Sequence, residues 1–363
     1  MQNHLFKFFL GLIFVFVVIL ISSFSFQNIF EEIIPKQKVR SDKGIYITAN
    51  VAQASRLFDN IKAQAKAAGI NTLVIDGKSA IEKPLLALIK EKKLTSSTKL
   101  HPNPWLTKLS NALHQEGFIV TVRLVVFKDD HLAIARPDLA VHLSGGGIYR
   151  DRKGGKWADP YSDEVRLYNA IIAEIAALSG VDEVQFDYIR FPAEADAHNA
   201  QYPALKKDVS RVDIICTFLE EARRRTQKYN VSLAVDIFGV TAWQSQNDIN
   251  SLGQDLKRMA KYIDVISPML YPSHFHNGYD GFANPGSEPY YFIYAGTAKT
   301  KEILSGEAVA IIPWVQGFNL RSPNFGTGYI SEQIKAAQDA GATGFLIWNA
   351  RNDYSVPFRA LKK

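Results

Sequence analysis

A repeated joint from helix to strand constrains this chain more than any other feature. Five times a stretch of small residues runs through a glycine into an apolar run: Gly69 before 70–76, Gly117 before 118–127, Gly180 before 181–189, Gly306 before 308–315 and Gly341 before 344–349. Glycine just past the last helical turn is the left-handed cap that turns a helix into the next strand. Three more strand-like runs, 45–49, 232–238 and 264–271, bring the number to eight. Helical spacing fills gaps between them. Val165, Tyr168, Ile172, Ile175 and Leu178 share a face, with Ser162 as amino-terminal cap and Asp163 and Glu164 in the first turn. Ile249, Leu252, Leu256, Met259 and Ile263 predict a second amphipathic helix. The alternation predicts an α/β fold, a (β/α)8 TIM barrel with an essentially parallel sheet. An open doubly wound sheet is disfavoured, because no G-x-G-x-x-G follows the first strand. The isolated Gly145-Gly146-Gly147 reads as a loop.

Composition narrows the function classes. Hydrophobic residues make up 47% of the 363, which excludes a disordered chain. Cys216 is the sole cysteine, so there is no disulfide scaffold, and its place on an apolar helix face marks it as core. The surplus of 42 Lys+Arg over 36 Asp+Glu is spread along the chain, with no basic stripe for nucleic acid. Before the barrel, residues 8–26 carry no charge, with Lys7 ahead of them and Glu31, Glu32, Lys36, Lys38 and Arg40 behind. A span needs about 20 residues, and a cleavable signal needs small residues before the cut. Here the serines at 22, 23 and 25 are interleaved with Phe. Residues 1–40 are therefore expected to be a transmembrane anchor, or else a signal segment, with its linker. The barrel over 41–363 would then lie outside the cytoplasm, and would be secreted if the segment is cleaved.

Chemistry in such a barrel sits at the carboxyl ends of the strands. Two of the loops there are long, 128–160 after the third strand and 272–289 after the sixth. In the fourth strand Val184, Phe186 and Tyr188 share one side, so Gln185 and Asp187 share the other. The apolar set suits the helix-facing layer, which aims Asp187 inward. In the fifth strand Leu233, Val235 and Ile237 leave Ala234, Asp236 and Phe238 inside. Two inward carboxylates on adjacent strands would sit roughly 5–7 Å apart. Glycosidases need such a pair, one group attacking or stabilising the anomeric centre and the other protonating the leaving oxygen. The competing structural reading is an ion pair with Arg190 or Lys78. Asp76, before Lys78, is a third carboxylate, expected to orient Lys78 or tune the pair. Trp157, Trp243, Tyr271, Phe275, Tyr279, Trp314 and Trp348 fall at or beyond strand ends, where flat rings suit pyranose faces. His274-x-His276, with Asp280 nearby, offers a zinc reading that lacks a recognisable third ligand. There is no G-x-S-x-G nucleophile motif.

Whole stretches now resemble a known family. The runs are Phe186-Asp187-Tyr188-Ile189-Arg190-Phe191-Pro192, Asp236-Ile237-Phe238-Gly239, Ser267-Pro268-Met269-Leu270-Tyr271-Pro272-Ser273-His274 and Pro313-Trp314-Val315-Gln316-Gly317-Phe318, with Trp157-x-Asp159-Pro160-Tyr161 and Trp348-Asn349-Ala350. They resemble the glycosyl hydrolase family known as domain of unknown function 4015, over residues 44–354. The resemblance implies a (β/α)8 barrel related to α-amylase-like glycosidases, often exported or attached to the bacterial envelope. It makes Asp187 the nucleophile and puts Asp236, an Asp where Glu is usual, in the acid/base position. After the second strand, Asp76-Gly77-Lys78-Ser79 has Ser79 where a carboxylate is expected. The resulting expectation is a retaining hydrolase of envelope or extracellular polysaccharide, needing no cofactor or metal. Asp76, Lys78, Trp157, Arg190, Trp243, Tyr271, His274, Trp314 and Trp348 would contact the sugar. The other classes weighed are a glycan-binding barrel without catalysis and a metal-dependent polysaccharide deacetylase.

Overall fold

The computed structural model describes residues 41–193, 197–243 and 245–362. The expected anchor at 8–26, like the whole of 1–40, lies outside them. Among the described residues no helix is long and apolar enough to cross a membrane.

Eight parallel strands close into a barrel. They are β1 (Lys43–Ile47), β2 (Thr72–Asp76), β3 (Ile119–Val125), β4 (Glu183–Asp187), β5 (Ser232–Phe238), β6 (Val265–Met269), β7 in two pieces (Ala310–Ile311 and Trp314–Gln316) and β8 (Phe345–Trp348). Each pairs with its neighbours in sequence, and β8 returns to β1 through Lys43↔Phe345 and Ile45↔Ile347. Pro313 has no N–H to give the ladder, and β7 breaks there before Trp314 resumes against Met269 and Leu346. All five glycines read as helix caps adopt positive φ, from 72° at Gly69 to 86° at Gly306.

The two faces of the sheet are chemically distinct. Ile45, Ile47, Leu73, Ile75, Val120, Val122, Val184, Phe186, Leu233, Val235 and Ile237 join the cluster under the helices. Tyr46, Val74, Ala234, Val265, Trp314 and Leu346 form a separate cluster inside the barrel. A polar column accompanies it on β3 to β6. Thr121 donates to Glu183 at 3.2 Å, and Gln185 reaches Ser267 at 3.3 Å across the small Ala234. The helix after the third strand, Asp163–Leu178, starts at Ser162, whose hydroxyl accepts from the Val165 N–H at 3.3 Å.

Two expectations are corrected here. The periodicity from Ile249 to Ile263 belongs to two short helices, Gln246–Leu252 and Leu256–Met259, separated by Gly253 at φ 77°. A side chain at Gly253 would meet the Arg211 carbonyl oxygen at 2.8 Å, so the chain turns there while the apolar face continues. The strand alternation ends at Tyr188, which packs only at the margin of the helix-facing cluster and also lines the cavity. β4 ends at Asp187 because Tyr188 takes φ 50°, a left-handed conformation that costs an aromatic residue about 1–3 kcal/mol and turns its ring over the barrel mouth.

Candidate active site

At the carboxyl ends of the strands lies a cavity of about 520 Å³. Its floor holds two carboxylates, Asp187 from β4 and Asp236 from β5. The ladder pairs Gln185 with Ala234 and Phe186 with Val235. Asp187 and Asp236 follow on the next rung, level on neighbouring strands and both aimed inward as the alternation predicts.

Their surroundings differ. Arg123, on β3, forks onto Asp187: Nε donates to Oδ2 at 3.0 Å and Nη2 to the same oxygen. Oδ1 of Asp187 accepts from the Tyr188 N–H at 2.6 Å. The remaining Arg123 nitrogen, Nη1, donates to Asp76 Oδ1 at 3.1 Å, while the Tyr46 hydroxyl donates to Asp76 Oδ2 at 3.0 Å. The guanidinium lies 5.2 Å from the Trp348 ring and 5.6 Å from that of Tyr46. Burial alone would weaken its charge, but the carboxylates of Asp187 and Asp76 hold its pKa above the usual arginine value. Among the described residues Asp236 has no ion-pair partner of its own. Trp314 Nε1 donates to its Oδ1 at 2.6 Å, and only 2% of the residue is exposed. Burial, and after it the charge of Asp187, push its pKa well above the usual carboxylate range, against the opposing pull of Arg123 and the Trp314 bond. The two carboxyl groups thus differ in their surroundings: Asp187 is ion-paired, while Asp236 is buried with its pKa raised.

The walls complete the site. Trp348 stacks on Tyr46 with centroids 4.0 Å apart and meets Trp314 edge-on at 5.5 Å. Arg190 lies over Phe238, 4.0 Å from its centroid, and donates to the Phe191 carbonyl at 2.8 Å. Tyr271 is buried, and that burial, then the charges of Asp236 and Asp187, raise its phenol pKa well above normal. His274 stands at the rim, its Nδ1 3.2 Å from the Ser273 hydroxyl. Its pKa is lowered, first by the desolvation of its packed ring and then by the positive charges of Lys153 and Arg321. From the loop after β3, Lys128, Asp151, Arg152 and Lys153 reach the cavity. Asp151 shapes that loop by accepting from the N–H groups of Lys153 at 2.9 Å and Gly155 at 3.0 Å, and pairs with Lys128 at 2.6 Å. Gly239 closes the rim beside β6, where a Cβ would meet the Met269 carbonyl oxygen at 2.5 Å.

The matching family model covers residues 44–354 and is described as "Putative glycosyl hydrolase domain". The chain belongs to this family. It is thus a glycosyl hydrolase domain, and solved structures share its fold. The glycoside hydrolase domain of PgaB (BpsB) from Bordetella bronchiseptica is 13% identical, with a TM-score of 0.60 over 88% of this chain and 98% of that one. A beta-galactosidase from the Antarctic haloarchaeon Halorubrum lacusprofundi is 12% identical, with a TM-score of 0.59 over 85% of this chain and 52% of that one. The alpha-galactosidase of Thermus thermophilus, in complex with stachyose, is 13% identical, with a TM-score of 0.52 over 92% of this chain and 67% of that one. At such identities these likenesses concern the fold alone. No curated protein sequence gives a significant match.

Of the residues predicted for this glycosyl hydrolase domain, Asp187, Asp236, Arg190, Tyr271, His274, Trp314 and Trp348 all line the cavity. Four others do not. Lys78 points away into buried ligands, pairing with Asp129 at 2.7 Å and bonding Asn169 Oδ1 at 2.9 Å and the Val126 carbonyl at 3.2 Å. Asp76 orients Arg123 instead of Lys78. Trp157 is fully buried behind Tyr188, ring centroids 5.8 Å apart, and donates to Asp151 Oδ2 at 3.4 Å. Trp243 supports the loop after β6, packing 5.5 Å from Phe275 and donating to Asp280 at 3.0 Å. That bond, with another from Tyr291 at 2.6 Å, occupies the carboxylate considered as a zinc ligand. Among the described residues no three His, Cys, Asp or Glu side chains form a metal-binding group. Cys216 is buried, with its thiol pushed up to about 11 by desolvation, as suits core.

Arg123 was missed, although a signal existed. It is a charged residue within the apolar run 118–127, on the inward parity of Thr121. Tyr46 and Phe238 have the same inward parity on β1 and β5. Arg152 and Lys153 carry no periodic signal, since a loop brings them in.

Proposed function

We propose that the chain is a retaining glycoside hydrolase of envelope or extracellular polysaccharide, with Asp187 as nucleophile and Asp236 as general acid/base. The observation that carries this reading is the division at the floor: an arginine-paired carboxylate, Asp187, beside a buried carboxyl, Asp236, that is bonded to Trp314 and has a raised pKa. Asp187 attacks the anomeric carbon as the bond to the leaving oxygen breaks, and Asp236 gives that oxygen its proton. A glycosyl ester on Asp187 results. Water then attacks the same carbon, Asp236 takes the water's proton, and the Asp187 carboxylate is released. Arg123 holds Asp187 in place, and Asp76 holds Arg123. Trp314 orients Asp236, while Trp348 offers a face for a sugar ring. Arg190, Tyr271 and His274 supply polar contacts around it. The uncharged stretch 8–26 supports a membrane anchor that keeps the barrel outside the cytoplasm.

One experiment tests both parts. Cells expressing the full chain are separated into membrane and soluble fractions, and the protein is then incubated with a polysaccharide panel while new reducing ends are scored by mass spectrometry. Recovery in the membrane fraction and chain cleavage are expected. Asp236→Asn should lower turnover by about 10²–10⁴, and Asp187→Asn should trap no glycosyl ester. Near-wild-type turnover by both variants would refute the assignment, and recovery wholly in the soluble fraction would refute the anchor.

A further inference from the structure

The charge around the cavity narrows the substrate class, an inference that rests on the hydrolase reading above. Arg123, Lys128, Arg152, Lys153 and Arg190 line the cavity, and among the described residues the carboxylates that line it are Asp151, Asp187 and Asp236. Arg123 and Lys128 are committed to Asp187 and Asp151. Arg152 and Lys153 stand exposed at the tip of the loop after β3, and among the described residues neither has an ion-pair partner. Arg321, outside the cavity lining, donates to the Ser273 carbonyl at 3.2 Å and to Asn277 Oδ1, both neutral. The loop after β3 thus brings two exposed cations, without an ion-pair partner among the described residues, to the cavity. A low-dielectric cleft focuses such charge and raises the local concentration of anions. Neutral sugar hydroxyls can accept hydrogen bonds from such cations but do not compensate their charge, whereas an anionic group does both.

We propose that this hydrolase acts on an anionic glycan, with Arg152 and Lys153 as specificity-determining residues for its acidic groups. The anion is the carboxylate of a uronic acid or an ester sulfate or phosphate, and these share the recognition chemistry.

The test gives the full-length protein uronic-acid oligosaccharides, their carboxyl-reduced neutral counterparts, and sulfated and phosphorylated glycans in separate arms. Binding of each is measured in parallel with Asp187→Asn. Cleavage and binding should favour at least one anionic arm over its neutral counterpart, and the preference should shrink as salt is raised. Arg152→Ala with Lys153→Ala should raise KM for that glycan about tenfold while kcat moves much less, so that the preference collapses. Equal handling of charged and neutral partners, or a double variant that keeps the preference, overturns the inference and leaves the hydrolase reading standing. Absence of cleavage in every arm defeats the hydrolase reading, and the binding arms then decide the charge preference by themselves.

Discussion

The coupling between Asp187 and Asp236 can be measured directly. Asp187→Asn removes one negative charge with little change of shape. The residues sit level on strands about 4.8 Å apart, so their carboxyl groups lie roughly 6 Å from each other. Two unit charges at that distance, with an effective dielectric near 20, interact by about 2.8 kcal/mol, or about two pKa units. The change reaches Asp236 by two routes of the same sign. The repulsion that discourages its ionisation disappears, and Arg123, left with Asp76, pulls harder on a nearby negative charge. The Asp236 pKa should therefore fall by about two units in Asp187→Asn, remaining raised by burial. A ¹³C NMR titration of labelled aspartate carboxyls reads this without needing turnover. In the wild type the same group sets the alkaline limb of kcat/KM: the acid must be protonated, so activity is lost as pH rises through the raised value. An Asp236 pKa that stays within about half a unit in Asp187→Asn would mean that the two groups do not share a site.

Two further outcomes follow from the buried charges. Arg123→Met should destabilise the barrel by about 3–5 kcal/mol in urea unfolding, because Asp76 and Asp187 lose their counterion together; adding Asp76→Asn should recover part of it, and equal losses in the single and double variants would contradict the shared role. Lys78→Met should cost a similar amount of stability, since Asp129 is left unpaired, yet leave KM nearly unchanged; a large rise in KM would return Lys78 to the sugar site.

The sequence was most legible where backbone geometry alone dictates direction. Strand alternation correctly turned Asp187 and Asp236 inward, and glycine caps located five of the eight strands. It failed at Tyr188, one residue beyond the last strand position, where a left-handed turn ends the alternation. Lys78 was read by its closeness to Asp76, but the helix starting at Lys78 sends its side chain to Asp129 and Asn169. Trp157 and Trp243 were placed by strand-end logic, yet both sit in segments whose course is set by packing against Asp151, Tyr188 and Phe275. Arg152 and Lys153 belong to the same class, since no local spacing predicts where a long loop returns.

The interior charges form one system. Placing Asp76, Asp187 and Asp236 under a shared roof of Tyr46, Trp314 and Trp348 would be unfavourable if all three were ionised with no cation among them. Arg123 bridges the first two and packs its guanidinium over the rings of Tyr46 and Trp348. It reaches the third only through space, and burial, then the charge of Asp187, raises the Asp236 pKa against that pull. The arrangement that makes the carboxylates tolerable in the barrel therefore also distinguishes them. An Arg123 variant that merely refolded stably would still lose the distinction, because nothing else on the floor would pair Asp187 while leaving Asp236 unpaired.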